Sequence, residues 1–212
     1  MNLKRKEEEE KLAIKNVIFD IGNVMTVFAW EQHFKNHGIT GETFEKVKRA
    51  TVGNPVWNEI DRGVLTMEEI IRKMSAIEPS VASEIREIMT DMRGMVTPEA
   101  FAIPWVQELK AKGLNVYYLS NFSDQARKDC PDALEFTKYT DGGVFSYLEK
   151  LIKPDKAIYQ LLLDRYDLVA EESVFLDDTE KNLKPAQELG IHTIHVLHHE
   201  QAVKELEALL NQ

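Results

Sequence analysis

Residues 17–24 read VIFDIGNV. Val17, Ile18 and Phe19 make a short apolar run bounded by Gly22, the pattern of an interior parallel strand. Asp20 closes the run with a lone carboxylate. In an open α/β sheet, ligands bind beyond the carboxyl ends of the strands, so Asp20 stands where chemistry is expected. An aspartate at a strand end also serves as a turn former or helix cap, and one instance does not separate the two.

Three further segments repeat the same grammar of apolar strand followed by polar loop. NVYYLSN places Ser120 and Asn121 after Val116 to Leu119, LIKPDKAIY places Lys153 before a helical stretch, and SVFLDDTEKN places Asp177 and Asp178 after Val174 to Leu176. Together they supply a carboxylate, a hydroxyl, an amide, an ammonium and an acidic pair. That inventory can hold a phosphoryl group between a cation and hydrogen-bond donors.

The motifs DIGNV at 20–24, SN at 120–121, KPD at 153–155 and DD at 177–178 occur in this order, and the chain resembles the haloacid dehalogenase (HAD) superfamily of hydrolases. The spacing resembles the branch with a helical cap between the first two motifs. DIGNV and FLDDTEKNLKPAQELGIHTIHV are similar to the bacterial glucose-1-phosphatase-like members and to the phosphatase half of mammalian soluble epoxide hydrolase.

The resemblance implies an α/β fold, a Rossmann-like three-layer core around a parallel sheet, with an inserted α-helical cap. Residues 13–27 and 98–212 would form the core, 28–97 the cap, and 1–12 a charged tail. It implies that Asp20 attacks phosphorus to give an aspartyl phosphate, with Lys153 as the neutralising cation and Ser120 and Asn121 as donors to the phosphate. Mg²⁺ would be held by Asp20, the Gly22 carbonyl and Asp178, with Asp177 assisting or in an outer layer. An all-oxygen set with one or two carboxylates suits that ion. Asn182 lies one helical turn past Asp178 and is a candidate to orient the acidic pair.

Gly22 departs from the family pattern. Most phosphatases of the superfamily carry there a second aspartate that protonates the leaving oxygen and later activates water. Loss of a general acid–base commonly costs about 10² to 10⁴ in rate. The acid role is open to a metal-bound water, to a cap side chain such as His33, His37 or Glu31, or to no group if the leaving oxygen departs readily. A sugar 1-phosphate has such an oxygen, which makes it the favoured substrate.

The formal net charge of −10 argues against nucleic acid or an anionic membrane as partner, while the resemblance implies a small phosphorylated metabolite. The single cysteine, Cys130, excludes an internal disulfide and reads as a small packed residue. The start, MNLKRKEEEEKLA, has no apolar leader stretch and reads as a frayed helix or a disordered tail, and the expectation is a cytoplasmic monomer or weak dimer.

Runs of strand and helix alternate outside the cap, including helices at 101–112, 156–166, 182–189 and 200–210 and strands at 14–19, 114–119, 173–176 and 191–197. Within 28–97 no strand pattern stands out; 43–50, 56–61, 66–74 and 81–92 suit amphipathic helices, and Thr66 with Glu69 suits a capping box. Trp57, with Glu59, Asp61 and Arg62 before Gly63, falls in the cap and reads as packed cap interior more than as pocket wall. His192, His195, His198 and His199 lack the helical pair spacing of a zinc hydrolase. Two other readings compete with a phosphatase: a catalytically weak binder of phospho-ligands, favoured by Gly22, and a metal-independent 2-haloacid dehalogenase, disfavoured by Asp177–Asp178.

Overall fold

Burial on both faces is what lets VIF and its partner strands form the centre of a parallel sheet. In the computed structural model, which describes residues 13–211, β1 (Asn16–Phe19) is wholly buried and is followed by the short β2 (Thr26–Phe28). The expectations for the charged run at 1–12 lie outside the described residues.

Five α-helices follow: α1 (Trp30–Asn36), α2 (Gly41–Ala50), α3 (Trp57–Arg62), α4 (Met67–Ile77) and α5 (Ala82–Thr90). The capping box at the start of α4 is present, with the Thr66 side chain on the Glu69 amide and the Glu69 carboxylate on the Thr66 amide. The chain returns through β3 (Val96–Pro98), which pairs antiparallel with β2, Phe28 opposite Val96. This two-stranded ribbon corrects the expectation of no strand between 28 and 97. Each strand has three residues and one ends in proline, too short a run for any alternation to register. The helix α1 was likewise not foreseen.

The rest of the chain alternates as expected: α6 (Ala102–Ala111), β4 (Asn115–Ser120), α7 (Asp124–Asp129), β5 (Gly142–Phe145), α8 (Ser146–Glu149), α9 (Lys156–Tyr166), β6 (Ser173–Asp177), α10 (Glu180–Glu188), β7 (His192–His195) and α11 (His199–Leu210). The five-stranded sheet has the order β5-β4-β1-β6-β7, and every pairing in it is parallel. Side chains alternate between its faces. Ile18, Leu119 and Phe175 pack with α9 and α10 through Tyr159, Leu162 and Leu183. Val17, Phe19 and Leu176 pack with α6 and α11 through Trp105, Val106 and Leu206, in a cluster that continues into the inserted helices.

The chain first builds the sheet outward from β1 to β5, then crosses back to lay β6 on the other side of β1. The ends of β1 and β6 therefore flank the point where strand order reverses, the position at which α/β sheets open a ligand crevice. Register puts Phe19 beside Leu176, so Asp20 and Asp177 emerge side by side.

Candidate active site

Asp20 is 8% exposed, and its backbone amide still bonds the Leu176 carbonyl at 2.8 Å, which fixes its direction with the strand. Its Oδ1 accepts from the Ile21 amide at 2.7 Å. Lys153 comes from the loop before α9 and is almost wholly buried. Its ammonium lies 2.8 Å from Asp20 Oδ1 and 2.6 Å from Asp177 Oδ2. One cation thus bridges two carboxylates, and both neighbours hold its pKa above the usual lysine value against the opposing effect of burial. Burial pushes Asp20 up to about 7 despite that ammonium.

Asp177 is fully saturated by protein. Besides Lys153 it accepts from the Thr179 amide at 2.7 Å and from Asn182 Nδ2 at 3.0 and 3.1 Å. Asp178 has looser partners, Asn23 Nδ2 at 3.1 Å and Thr179 Oγ1 at 3.2 Å. Oxygens of Asp20, Asp177 and Asp178 all lie within 4.8 Å of one another, an all-oxygen donor set that fits a hard divalent cation. Three carboxylates against one ammonium leave an excess of negative charge, which such an ion would offset. Gly22 lies beside them on the pocket wall.

The SN motif ends β4, and Asn121 bonds the backbone of Lys153 through both of its side-chain polar atoms. Asn121 Oδ1 accepts from the Lys153 amide at 2.8 Å while its Nδ2 donates to the Lys153 carbonyl at 3.0 Å. The amide therefore clamps the loop that carries the ammonium, and it also lines the pocket. Ser120 is buried at the end of β4, its hydroxyl 3.4 Å from the Asn121 carbonyl.

The cap histidines offered for the acid role are engaged elsewhere. His33 is buried with its ring nitrogens 3.2 Å from the Ile88 and Arg93 carbonyls; His37 pairs with Glu87, and Glu31 lies 3.9 Å from Lys35. None of them lines the cavity beside Asp20. The His cluster is dispersed: His195 bonds the Asp178 carbonyl, His198 caps α11, and His199 stacks on Phe101. Cys130 is buried against the Met92 carbonyl.

The cavity over Asp20 measures about 200 Å³ and joins the strand ends to the inserted helices. Trp57 lines it, with its ring 5.8 Å from Phe28, so it is pocket wall as well as packing. Asp61, in the last turn of α3, lines it too. Motif spacing gave no sign of this residue; its acidic character after an aromatic and before a glycine was the only signal.

A family model for haloacid dehalogenase-like hydrolases matches residues 14–190, and the chain belongs to that family. It is 33% identical over 206 residues to acyl-CoA dehydrogenase family member 10 of Mus musculus; the match covers 92% of this chain and 19% of that protein, so the chain spans about a fifth of it. It is 26% identical to sesquiterpene phosphatase astK of Aspergillus oryzae, covering 86% of this chain and 89% of the relative. Among solved structures, a HAD family enzyme of Bacteroides thetaiotaomicron in complex with magnesium and inorganic phosphate has a TM-score of 0.65 at 23% identity, covering 85% and 93% of the two chains. That likeness speaks to the fold. No described helix is long and apolar enough to cross a membrane.

Proposed function

We propose that this protein is a Mg²⁺-dependent phosphomonoester hydrolase that works through an aspartyl phosphate at Asp20. The observation that carries the reading is the Lys153 ammonium held between Asp20 and Asp177, with Asp178 close enough to complete an oxygen site for a divalent cation. Asp20, Asp178 and the Gly22 carbonyl would hold Mg²⁺, which supplies positive charge to the transferring group when bound. The Asp20 carboxylate attacks phosphorus in line with the departing oxygen, and Lys153 lowers the repulsion between two anions. The Asn121 clamp keeps Lys153 in place during that step. A phosphatase name on the astK relative and on the Thermotoga maritima phosphorylated carbohydrates phosphatase, 23% identical over 74% of this chain, supports this reading.

The lining bears on the substrate. A sugar 1-phosphate fits the missing carboxylate at Gly22, but the walls are poor in free donors for sugar hydroxyls. Phe28, Trp57, Met92, Met95, Val96 and Phe122 form one apolar side of the pocket, facing the carboxylates and amides at the strand ends. Of its uncharged polar groups, Asn23 bonds Asp178 and the Phe28 amide, Asn121 bonds the Lys153 backbone, Ser123 caps α7, and Thr179 leans on Asp178. A phosphate ester of a small apolar alcohol would place its phosphate at the strand ends and its apolar part against Phe28, Trp57 and the methionines, since apolar contact needs no donors.

Phosphate release from dimethylallyl, farnesyl and glucose 1-phosphates, with Mg²⁺ and with EDTA, tests both statements. Metal-dependent release that disappears in Asp20→Asn is expected, with the short prenyl ester preferred. Release that survives Asp20→Asn would overturn the mechanism; preference for glucose 1-phosphate would restore the sugar reading.

A further inference from the structure

Gly22 leaves the leaving oxygen without a proton donor from β1. A Cβ there would meet no atom within 4 Å, so the space beside the nucleophile is open to the pocket and the donor has to reach in from elsewhere. Of the carboxylates lining the cavity, Asp20 and Asp178 belong to the nucleophile and cation set, and Asp61 is the remaining one.

Asp61 is also the one held for this purpose. Its backbone is fixed: the Asp61 carbonyl accepts from Ser146 Oγ at 2.6 Å, and Lys150 Nζ bonds the Gly63 carbonyl at 2.5 Å. Those bonds tie α3 to α8 on the core and aim the last turn of the helix at the strand ends. The Asp61 carboxylate takes no hydrogen bond from the described residues, and the charges acting on it are those of Asp20 and Lys153. Its neighbours on α3, Glu59 and Arg62, pair with each other.

We propose that Asp61, delivered by the inserted helices, is the general acid and base of the reaction and takes over the task that Gly22 cannot perform. Burial, with Asp20 nearby, raises its carboxyl to about 7, so both protonation states are accessible near neutrality. In the first half-reaction an Asp20 oxygen bonds phosphorus, the bond to the leaving oxygen breaks, and the Asp61 proton passes to that oxygen to give a neutral alcohol. In the second, the Asp61 carboxylate takes a proton from water as its oxygen bonds phosphorus. The Asp20–phosphorus bond breaks, inorganic phosphate departs, and Asp61 is again protonated.

This inference rests on the phosphatase reading, and the experiment separates the two. Wild type, Asp61→Asn and Asp61→Ala are compared with Mg²⁺ on pentyl phosphate, whose alkoxide needs a proton, and on p-nitrophenyl phosphate, whose nitrophenolate does not. Rates are taken per competent site, counted by vanadate titration. The expected result is a loss of about 10² to 10⁴ on pentyl phosphate in both variants. With p-nitrophenyl phosphate, each variant should give a burst of one nitrophenolate per site and then slow turnover, because the phosphoenzyme forms but lacks its base. Equal, less than threefold effects on both substrates with no burst would overturn the role of Asp61. Absence of any Asp20-dependent release in the wild type would overturn the reaction itself, and the role with it.

Discussion

Lys153 and Asn182 divide the support of the acidic pair between them. Lys153 supplies charge to Asp20 and Asp177, while Asn182 Nδ2 donates to both oxygens of Asp177. Asn182 Oδ1 is left buried without a partner, at a cost of about 1–3 kcal/mol. A side chain that keeps such an orphan is set by the two bonds it makes, which turn Asp177 toward Lys153 and leave Asp178 facing the pocket. Removing an outer partner of this kind typically weakens metal affinity or activity by about 10–100-fold. Asn182→Ala is therefore expected to raise the Mg²⁺ concentration needed for half-maximal activity by that factor. Its activity at saturating Mg²⁺ should recover most of the loss. A Mg²⁺ titration reads this directly, and an unchanged midpoint would assign Asn182 to packing alone.

At the scale of elements, α3 depends on the turn that ends it. Gly63 has φ +65°, and a Cβ there would stand 2.8 Å from the Tyr147 carbonyl and 2.9 Å from its Cβ. Left-handed backbone costs a non-glycine residue about 1–2 kcal/mol, and the close approach to α8 adds to that. Gly63→Ala should destabilise the protein by about 2 kcal/mol or more, lowering Tm by about 4–8 °C for a chain of this size. Because the turn also carries Asp61, activity on pentyl phosphate should fall further than stability alone accounts for. The same region shows what was legible beforehand. The strands β1, β4 and β6 declared themselves because burial on both faces makes them continuous apolar runs, and each chemical motif sat at the end of one. The Thr66–Glu69 box was legible because it is local. β5 was not, since GGVF carries two glycines; Gly143 is pressed against the Tyr118 ring, where any Cβ would lie 2.4 Å from it. Asp61 was named only as a neighbour of Trp57, because its approach to Asp20 comes from docking of α3 on α8 and no spacing along the chain encodes that. The SN pair was read as phosphate donors, and the clamp on Lys153 is a tertiary bond that the dipeptide does not announce.

For the whole molecule, the proposed cation site lies where the sheet's two halves meet, so binding there would be linked to folding. Asp20 follows β1 and Asp178 follows β6, and an ion between them would cross-link strands that are distant in sequence. A ligand that binds only the folded state at about 100 times its Kd stabilises by about 2.7 kcal/mol. At about 2–4 °C per kcal/mol for a domain of this size, Mg²⁺ is expected to raise Tm by about 5–10 °C. Part of any such rise could come from screening, because the chain carries a formal net charge of −10. NaCl at matched ionic strength isolates that contribution, and it should give a smaller shift than Mg²⁺. Asp178→Asn removes one oxygen anion from the site while leaving Asp177 bound to Lys153, so its Tm without metal should be close to wild type or slightly higher. Its Mg²⁺-dependent rise should shrink toward the NaCl value. Differential scanning calorimetry of both proteins in EDTA, NaCl and Mg²⁺ measures all three quantities. An equal rise in the two proteins would place the ion elsewhere than between the ends of β1 and β6.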